Sequence, residues 1–384
     1  MAELPNPDPI RVLQLVISLE PGGMENGVVN LANGLRPLGI ETKILCLGER
    51  GRLAERLDPH IEVIALGKSD GFRLGAAREV ARIAQSWGAD VLHTHNLGPL
   101  IYGVIAWVLS VKPSWRIVHG EHGQLSWEAT YRNPWNFRRR LMQRQLLFRG
   151  CTAIHTVSRE MIDDLEAFGL SHPNMVAIPN GVDTGRFVPP QSKEAAKATL
   201  GFPANSLIVG NVGRMFPHKR QTLLVEAFDL LAEAYPALML LFVGDSDTGR
   251  EAVQDRITQS RFRDRIVCAG FQSNPVPYYQ AMDVLAVPSL YEGMSNVVLE
   301  AMACGLPVVA HEACGMKEMI RDGESGLVRQ VTSGAQLAAM LEKVVASDVA
   351  REEMGRRSRD IAVTSFSIEG MWKRYQEVLA AAAG

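Results

Sequence analysis

The sequence predicts an α/β protein built from two domains, each a parallel sheet covered by helices. Three observations support this prediction. Short β-branched runs alternate with helix-length amphipathic stretches along most of the chain, as strands joined by crossover helices do. The length of 384 residues exceeds the size at which one hydrophobic core keeps growing. A polar, proline-rich stretch, RFVPPQSKEAAKATLGFPA, interrupts the alternation near its middle and resembles a linker.

The predicted strands fall into two series, one on each side of this stretch. The first series covers 12–17, 42–47, 61–66, 90–93, 115–119, 152–157 and 175–178, and the second covers 207–212, 239–243, 265–269, 283–287 and 307–310. We therefore predict domains over 1–190 and 191–367. A last helix, 368–384, either completes the second domain or crosses back onto the first. Two such Rossmann-like domains are expected to face each other across a cleft, with ligands at the carboxyl ends of their strands.

Composition excludes several classes of protein. Forty Lys and Arg against 42 Asp and Glu give a net charge of −2, which offers no global attraction for nucleic acid. The five cysteines include no CxxC pair, a pattern that favours reduced thiols over disulfides or a zinc site. The N-terminus is unlike a signal peptide, and the longest apolar run is shorter than a membrane span. We expect a cytoplasmic protein.

Two stretches offer groups for an anionic ligand. Gly22 and Gly23 follow the first strand and begin a helix, where backbone N–H groups and the helix dipole favour an anion, although a tight turn explains them equally well. Arg214, Lys219 and Arg220 follow the strand at 207–212. Cations in such a loop can neutralise a diphosphate and stabilise a leaving group, or they can simply be solvated.

The stretch DVLAVPSLYEGMSNVVLEAMACGLPVVA is the most informative. It predicts a buried strand, a loop with Glu292, and a helix that Ser295 caps and Gly305 ends. Glu292 and Glu300 suit one loop carboxylate and one helix carboxylate, each able to hold a vicinal diol. The N–H groups at the helix start can meet a phosphate.

With this block the chain resembles the retaining glycosyltransferases of family 4, which have the GT-B fold. The resemblance covers nearly the whole chain through GGMENGVVNLANGL, DVLHTHN, HTVSREMIDDL, IPNGVDTGRF, VGNVGRMFPHKRQ, LLFVGDSD and the Glu292–Glu300 block. It implies that Arg214 and Lys219 clamp the donor diphosphate. It also implies that Glu300 binds the nucleotide ribose and that Glu292 contacts the donor sugar.

The resemblance implies further site residues. Backbone amides of Gly293, Met294 and Ser295 would face the sugar and phosphates, Gly23 would oppose them from the first domain, and Phe271 would lie beside the nucleobase. A histidine at a first-domain strand end would lie near the reacting carbon. The turn HGEHG offers His122, which suits the strand end better, and His119 as second choice. The resemblance thus assigns catalysis to His122, Glu292, Arg214 and Lys219.

The reaction implied is transfer of a hexosyl unit from a UDP- or GDP-sugar to an acceptor hydroxyl with retention, without a cofactor or metal. The chain resembles enzymes of bacterial exopolysaccharide assembly, and this resemblance implies a glycan or lipid-linked acceptor. Asp245 and Asp247 match a metal-binding DxD, but we interpret them as a turn. The cluster His93, His95, His119, Glu121 and His122 is interpreted as an acceptor-side wall instead of a zinc site.

Residues 127–149 are basic and interleaved with aromatics, which suits peripheral contact with the inner membrane face or a lipid-diphosphate acceptor, or else a solvated helix flank. Three alternative functions remain open. A nucleotide-sugar epimerase of the same fold would need no acceptor. A glycoside hydrolase would use Glu292 and Glu300 as its two carboxylates. A non-catalytic nucleotide-sugar-binding protein would bind without turnover.

Overall fold

The computed structural model describes residues 8–68, 71–111, 113–123, 133–245 and 248–384. The chain forms two compact units, the first from residues 1–180 with 369–384 and the second from residues 181–368. Each unit is an open parallel sheet with helices packed on it. Among the described residues, no helix combines the length and the apolar character needed to cross a membrane.

The described residues of the first unit form a sheet with the strand order β3-β2-β1-β4-β5-β6-β7. Its strands are β1 Ile10–Val16, β2 Ile40–Cys46, β3 Val63–Ala65, β4 Val91–His95, β5 Arg116–Glu121, β6 Ala153–Thr156 and β7 Met175–Ala177. All neighbours are parallel, and β1 lies between β2 and β4, with Ile10 opposite Ile40 and Val12 opposite Val91. The strand order switches direction between β1 and β4, because β2 and β3 are added on one side of β1 and the later strands on the other. Open parallel sheets bind ligands at such a switch point.

The second unit repeats this plan with the order β10-β9-β8-β11-β12-β13 in its described part. Its strands are β8 Leu207–Val212, β9 Leu238–Val243, β10 Ile266–Cys268, β11 Val284–Val287, β12 Val308–His311 and β13 Gly326–Arg329. The reversal lies between β8 and β11, where Val209 pairs with Val284. The twelve predicted strands are all present, and the sequence analysis missed β13.

The helices cover both sheets. They are α1 Gly23–Leu35, α2 Leu74–Trp87, α3 Leu97–Leu109, α4 Pro134–Phe148, α5 Arg159–Ala167, α6 Lys193–Thr199, α7 Gln221–Leu231, α8 Arg250–Thr258, α9 Val276–Ala281, α10 Asn296–Ala303, α11 Met316–Met319, α12 Gly334–Val345, α13 Asp348–Ser365 and α14 Ile368–Ala383. The buried apolar residues of strands and helices form a separate core in each unit, the first around Trp115 and Phe148 and the second around Phe228 and Phe242.

The division between the units lies earlier than the predicted position near residue 190. Val182 N donates to the carbonyl oxygen of Phe366 at 2.8 Å, and Ile368 N donates to that of Val182 at 3.0 Å. The Arg359 guanidinium on α13 donates to the carbonyl of Phe187 at 2.6 Å. Val182, before the proline-rich stretch, and Phe187, at its start, are therefore both held by the second unit, and the prolines do not mark the boundary.

The last helix packs on the first unit. Trp372 Nε1 donates to the carbonyl oxygen of Asn30 on α1 at 3.0 Å, and a Cβ added to Gly34 would collide with the Trp372 ring. Gln376 donates to the carbonyl of Leu38 at 2.7 Å. Of the two placements considered from sequence, α14 adopts the one in which the chain returns to the N-terminal unit.

Candidate functional site

The carboxyl ends of β8 and β11 carry the charged residues singled out in the sequence. The loop after β8 holds Arg214 and Lys219, and the loop after β11 holds Glu292. Because β8 and β11 are neighbours, both loops leave the sheet at the same edge. Leu290 N also donates to the carbonyl oxygen of His218 at 2.8 Å, which ties the loops together.

Lys219 and Glu292 form a direct ion pair. Nζ of Lys219 lies 2.6 Å from Oε1 of Glu292, with the two side chains 24% and 11% exposed. The ammonium keeps some access to water despite this contact. An ammonium has three donors, so the contact with Glu292 leaves Lys219 able to donate to an anion as well.

Arg220 differs from its expected role as a projecting cation. Its Nε donates to the carbonyl of Pro288 at 2.6 Å, and its Nη1 donates to the carbonyl of Val331 at 2.7 Å. Its backbone φ is 52°, a left-handed conformation that is uncommon outside glycine. The guanidinium is therefore a structural tie between the loop after β8 and the end of β11, and it holds its neighbour Lys219 in place.

Arg214 is exposed at the same edge. Its guanidinium carbon lies 4.8 Å from the centre of the Phe216 ring, a cation–π arrangement that limits the motion of the long side chain. Gln221 Nε2 donates to the carbonyl of Arg214 at 3.1 Å. The site thus offers an accessible cation whose backbone and side chain are both restrained.

Glu300 lies on α10 and accepts a hydrogen bond from the hydroxyl of Tyr279 at 2.7 Å. Burial, together with the charge of Glu300, raises the pKa of Tyr279 well above its usual value, so this hydroxyl stays a donor. Glu300 is among the residues predicted from the sequence but Tyr279 is not, since nothing in the local pattern of α9 distinguishes Tyr279 from a core tyrosine.

The start of α10 corrects one expectation. Ser295 occupies the N-cap position, but its side chain makes no capping hydrogen bond. Met294 and Ser295 are 6% and 5% exposed, so their side chains are turned into the protein. Beside them, a Cβ on Gly315 would lie 2.6 Å from the carbonyl oxygen of Gly293. The side chains of Met294 and Ser295 are therefore not presented to a ligand at this turn.

Two other predicted contacts lie on separate elements. Phe271 follows β10 and is 64% exposed, an unusual position for a large apolar ring. In the first unit, Gly23 begins α1 after an extended Gly22, and a Cβ at Gly23 would meet no protein atom within 4 Å. The local fold therefore does not itself require glycine at position 23.

The histidine-rich strand ends do not form the expected acceptor-side wall. His93, His95, His119 and His155 are at most 1% exposed, because β4, β5 and β6 lie inside the sheet and are covered on both faces. The described residues contain no group of His, Cys, Asp or Glu with a geometry suited to a metal ion.

His119 and His122 have different environments. His119 is fully buried on one face of β5, 2.8 Å from Thr94 Oγ1 and 3.3 Å from Glu121. Burial would raise the pKa of Glu121, but His119 and Arg144 lower it to about 2. His122 follows the strand end and keeps part of its surface open to solvent. Of these two histidines, only His122 is placed to touch a ligand.

Two further sequence features are partly described. Asp245 pairs with Arg250 on α8, as a turn residue can, while positions 246 and 247 of the DxD lie outside the described ranges. On α4, Trp135, Met142 and Leu146 are 78%, 68% and 66% exposed, whereas Arg144 is buried against Glu121. Trp127 and Tyr131 of the basic aromatic segment lie outside the described part of the chain.

Each half of the chain matches a known protein family. Residues 192–361 match the family described as "Glycosyl transferases group 1", and residues 21–186 match "Glycosyltransferase Family 4". The chain is 27% identical over 371 residues to the D-inositol 3-phosphate glycosyltransferase of Corynebacterium aurimucosum, covering 89% of this chain and 87% of that protein.

Another relative is a galactosyltransferase. An Escherichia coli UDP-Gal:alpha-D-GlcNAc-diphosphoundecaprenol alpha-1,3-galactosyltransferase is 26% identical, over 73% of this chain and 72% of that protein. Among solved structures, HepE from Anabaena in complex with UDP and glucose superposes with a TM-score of 0.83 at 23% identity, over 97% of this chain and 100% of that one.

The structural match shows the fold, and the two family matches divide most of the chain between them. They agree with a parallel α/β sheet in each unit. The protein is a glycosyltransferase of the GT-B type.

Proposed function

We propose that the protein transfers a hexosyl unit from a UDP- or GDP-sugar to an acceptor hydroxyl, with retention of anomeric configuration and without a metal. The acceptor is a glycan or a lipid-linked sugar, and the product enters a cell-surface polysaccharide or glycolipid. The observation that carries this proposal is the Lys219–Glu292 ion pair, which joins the two charged loops at the reversal point of the second sheet.

The chemistry requires cations at the leaving group. As the bond between the anomeric carbon and the diphosphate oxygen breaks, negative charge grows on the diphosphate. The acceptor oxygen forms the new bond to the anomeric carbon, and its hydroxyl proton passes to the departing diphosphate. Arg214 and Lys219 are accessible cations held by Phe216 and Glu292, so they need little reorganisation to meet this charge.

The remaining residues suit binding of the donor. Glu300, oriented by Tyr279, is assigned to the ribose diol, and Glu292 to the sugar hydroxyls. The exposed ring of Phe271 is assigned to the base, and the backbone amides of Gly293, Met294 and Ser295 with Gly23 to the sugar and phosphates. His122 is assigned to the reacting end of the sugar because it is the accessible histidine of the HGEHG turn.

The donor is tested by incubating the protein with UDP- and GDP-hexoses and measuring thermal stabilisation. A donor at a hundred times its dissociation constant should add about 2.7 kcal/mol of stability. Release of free nucleoside diphosphate is then measured with and without candidate acceptors, including a monosaccharide-diphospholipid. Release that depends on acceptor supports transfer, whereas conversion of the donor sugar without acceptor indicates an epimerase.

Retention is tested on the product, and metal independence is tested on the rate of turnover. With an α-linked gluco- or galacto-configured donor, a product whose anomeric proton stays equatorial by NMR, with a small coupling to H2, supports retention, and a product with the large diaxial coupling of an inverted linkage contradicts it. Turnover that persists in EDTA supports the metal-free reaction. Stable binding of nucleotide sugar without release or conversion, with every acceptor tried, would favour the non-catalytic alternative.

We also propose that residues 127–149 contact an anionic membrane surface. In the sequence from 133 to 150 there are five Arg and no Asp or Glu, and the exposed part of α4 combines Arg138 and Arg139 with Trp135 and Met142. Apolar and cationic groups on one exposed face suit an anionic headgroup layer. Co-sedimentation with phosphatidylglycerol vesicles should be lost in Trp135→Ala combined with Arg139→Glu. Equal binding of the variant, or equal binding to neutral vesicles, would contradict membrane contact.

A further inference from the structure

One face of the first sheet carries a linear chain of hydrogen bonds that ends at His122. Nε2 of His122 lies 3.0 Å from Nδ1 of His95 on β4. Nε2 of His95 in turn lies 2.8 Å from Oε1 of Gln14 on β1. The three side chains therefore run from the reversal point of the sheet to the strand end where His122 meets solvent.

Both imidazoles in this chain are neutral near pH 7. Burial lowers the pKa of His122 to about 4. Burial, together with the neighbouring imidazoles, lowers the pKa of His95 well below its usual value. A neutral imidazole has one nitrogen that donates and one that accepts, so fixing one nitrogen fixes the other.

The amide oxygen at the inner end sets the direction of the whole chain. Oε1 of Gln14 can only accept, so Nε2 of His95 carries the proton and donates. Nδ1 of His95 is then an acceptor, which requires Nε2 of His122 to donate to it. Nδ1 of His122 is consequently left unprotonated.

The backbone around His122 is restrained independently. Oδ1 of Asn96 accepts the backbone N–H of His122 at 3.0 Å, and Asn96 N donates to the carbonyl of Gly120 at 2.8 Å. Asn96 has φ 64° and ψ 170°, a combination that costs energy in a residue with a Cβ. Strain maintained at a strand end, next to a ring whose tautomer is fixed, indicates that the orientation of His122 matters.

We propose that Gln14 and His95 are positioning residues that hold His122 as its Nε2–H tautomer, so that Nδ1 accepts a hydrogen bond from a hydroxyl of the bound sugar. The role toward the sugar rests on the proposed function. The tautomer itself follows from the contacts within the first unit. Gln14 and His95 act only through His122 and do not touch the substrate.

The tautomer can be measured directly in the full-length protein labelled with [15N]histidine. A long-range 1H–15N correlation spectrum distinguishes protonated from unprotonated ring nitrogens, and the His122→Gln spectrum assigns the signals of His122. We expect His122 as the Nε2–H form in the wild type. In Gln14→Met, which keeps the size of the side chain and removes the acceptor, both tautomers should appear.

Kinetics supply the second readout. In Gln14→Met, kcat should fall about tenfold, as for loss of one hydrogen bond to the substrate, with the donor KM changed by less than about twofold. Tyr375→Phe is the matched control, because its hydroxyl lies 3.5 Å from His155 on the same buried face and outside the chain to His122. That variant should leave both the tautomer and kcat unchanged.

Each contrary result has one meaning. An Nδ1–H form of His122 in the wild type, as a reversed Gln14 amide would produce, overturns the proposal even if Gln14→Met does not fold. A tautomer that changes without any change in kcat overturns the positioning role but leaves sugar transfer intact. Absence of turnover with every nucleotide sugar refutes the proposed function, while the spectrum still decides the tautomer.

Discussion

The two sheets have the same reversal in strand order, yet the edges at that point have opposite chemistry. In the first unit, Gln14 on β1, His95 on β4 and His122 just after the neighbouring β5 are neutral and bonded in a row. In the second unit, the edge between β8 and β11 carries Lys219 and Glu292, which are charged and partly exposed. Equivalent places in two copies of one architecture thus serve different purposes.

Burial explains the difference. A charged group needs water or a partner, so the cations that would meet a diphosphate lie at a solvent-accessible edge and are paired or stacked. A neutral imidazole tolerates full burial, and its two nitrogens give direction to a hydrogen bond without carrying charge. The first unit is therefore suited to orienting groups, and the second to neutralising charge.

The largest expected effect is acid unfolding of the first unit. Burial lowers the pKa values of His93, His95, His122 and His155 in the folded protein, and in the unfolded chain a histidine titrates near 6.5. The unfolded state therefore binds more protons below pH 6.5, and stability is lost as the pH falls. Between pH 7 and pH 5 the free energy of unfolding should drop by on the order of 5 kcal/mol.

The measurement can be confined to one unit because all six Trp lie in residues 1–180 and 369–384. Urea unfolding followed by Trp fluorescence reports the first unit, and far-UV circular dichroism reports both. The second unit contains two histidines, His218 and His311, whose pKa values burial also lowers, and with fewer such groups it should lose less stability. If acidification lowers the urea midpoint from Trp fluorescence no more than the midpoint from circular dichroism, the buried histidines are not held neutral.

The second prediction tests the charged edge. Lys219→Ala should lower kcat by about 10²- to 10³-fold, the effect of removing a donor that stabilises charge in a transition state. Arg256→Ala is a matched control, since Arg256 pairs with Asp229 at 2.7 Å and is 22% exposed, much like Lys219. Steady-state release of nucleoside diphosphate compares the two variants. Equal losses in both would mean that Lys219 acts on stability alone.

The sequence predicted the strands well because parallel strands buried on both faces are continuous apolar runs. It missed β13, Gly326–Arg329, where a short run begins with glycine and ends with an exposed arginine. It placed the domain boundary too late because the prolines suggested a linker. The contacts of Val182 with Phe366 and Ile368, which decide the division, join residues distant in sequence.

The candidate site, like the fold, could be predicted from the sequence only in part. Arg214, Lys219 and Glu292 could be identified as residue types after strand ends and Glu300 as a helix carboxylate, but the ion pair between positions 219 and 292 could not. The alternating histidines of β4 and β5 suggested a ligand-facing wall, and a two-residue period does not reveal that helices cover both faces. In the sequence Gln14 resembles any other polar residue of a strand, because its partner His95 lies far along the chain on another strand.

The third prediction concerns the tie between the loops of the second unit. Arg220→Ala removes two charge-assisted hydrogen bonds, to the carbonyls of Pro288 and Val331, and should destabilise that unit by about 3 kcal/mol. Arg220→Lys should not restore stability, because an ammonium cannot reproduce the planar fork. The circular dichroism midpoint in urea should fall while the Trp fluorescence midpoint stays constant. A fall in both would show that the tie is not local to its unit.

The smallest expected effect concerns the contact between Tyr279 and Glu300. Tyr279→Phe removes the hydroxyl that donates to Glu300 at 2.7 Å and leaves the buried ring in place. If Glu300 holds the ribose diol, its loss of orientation should weaken binding of the nucleoside diphosphate and the donor alike by about 1 kcal/mol, or roughly fivefold, with kcat nearly constant. Calorimetric titration with UDP and GDP measures this, with Tyr278→Phe as the neighbouring control. If neither Kd nor kcat changes, Glu300 stabilises the fold and does not bind the nucleotide. If kcat falls at constant Kd, Glu300 contacts the reacting sugar and not the ribose.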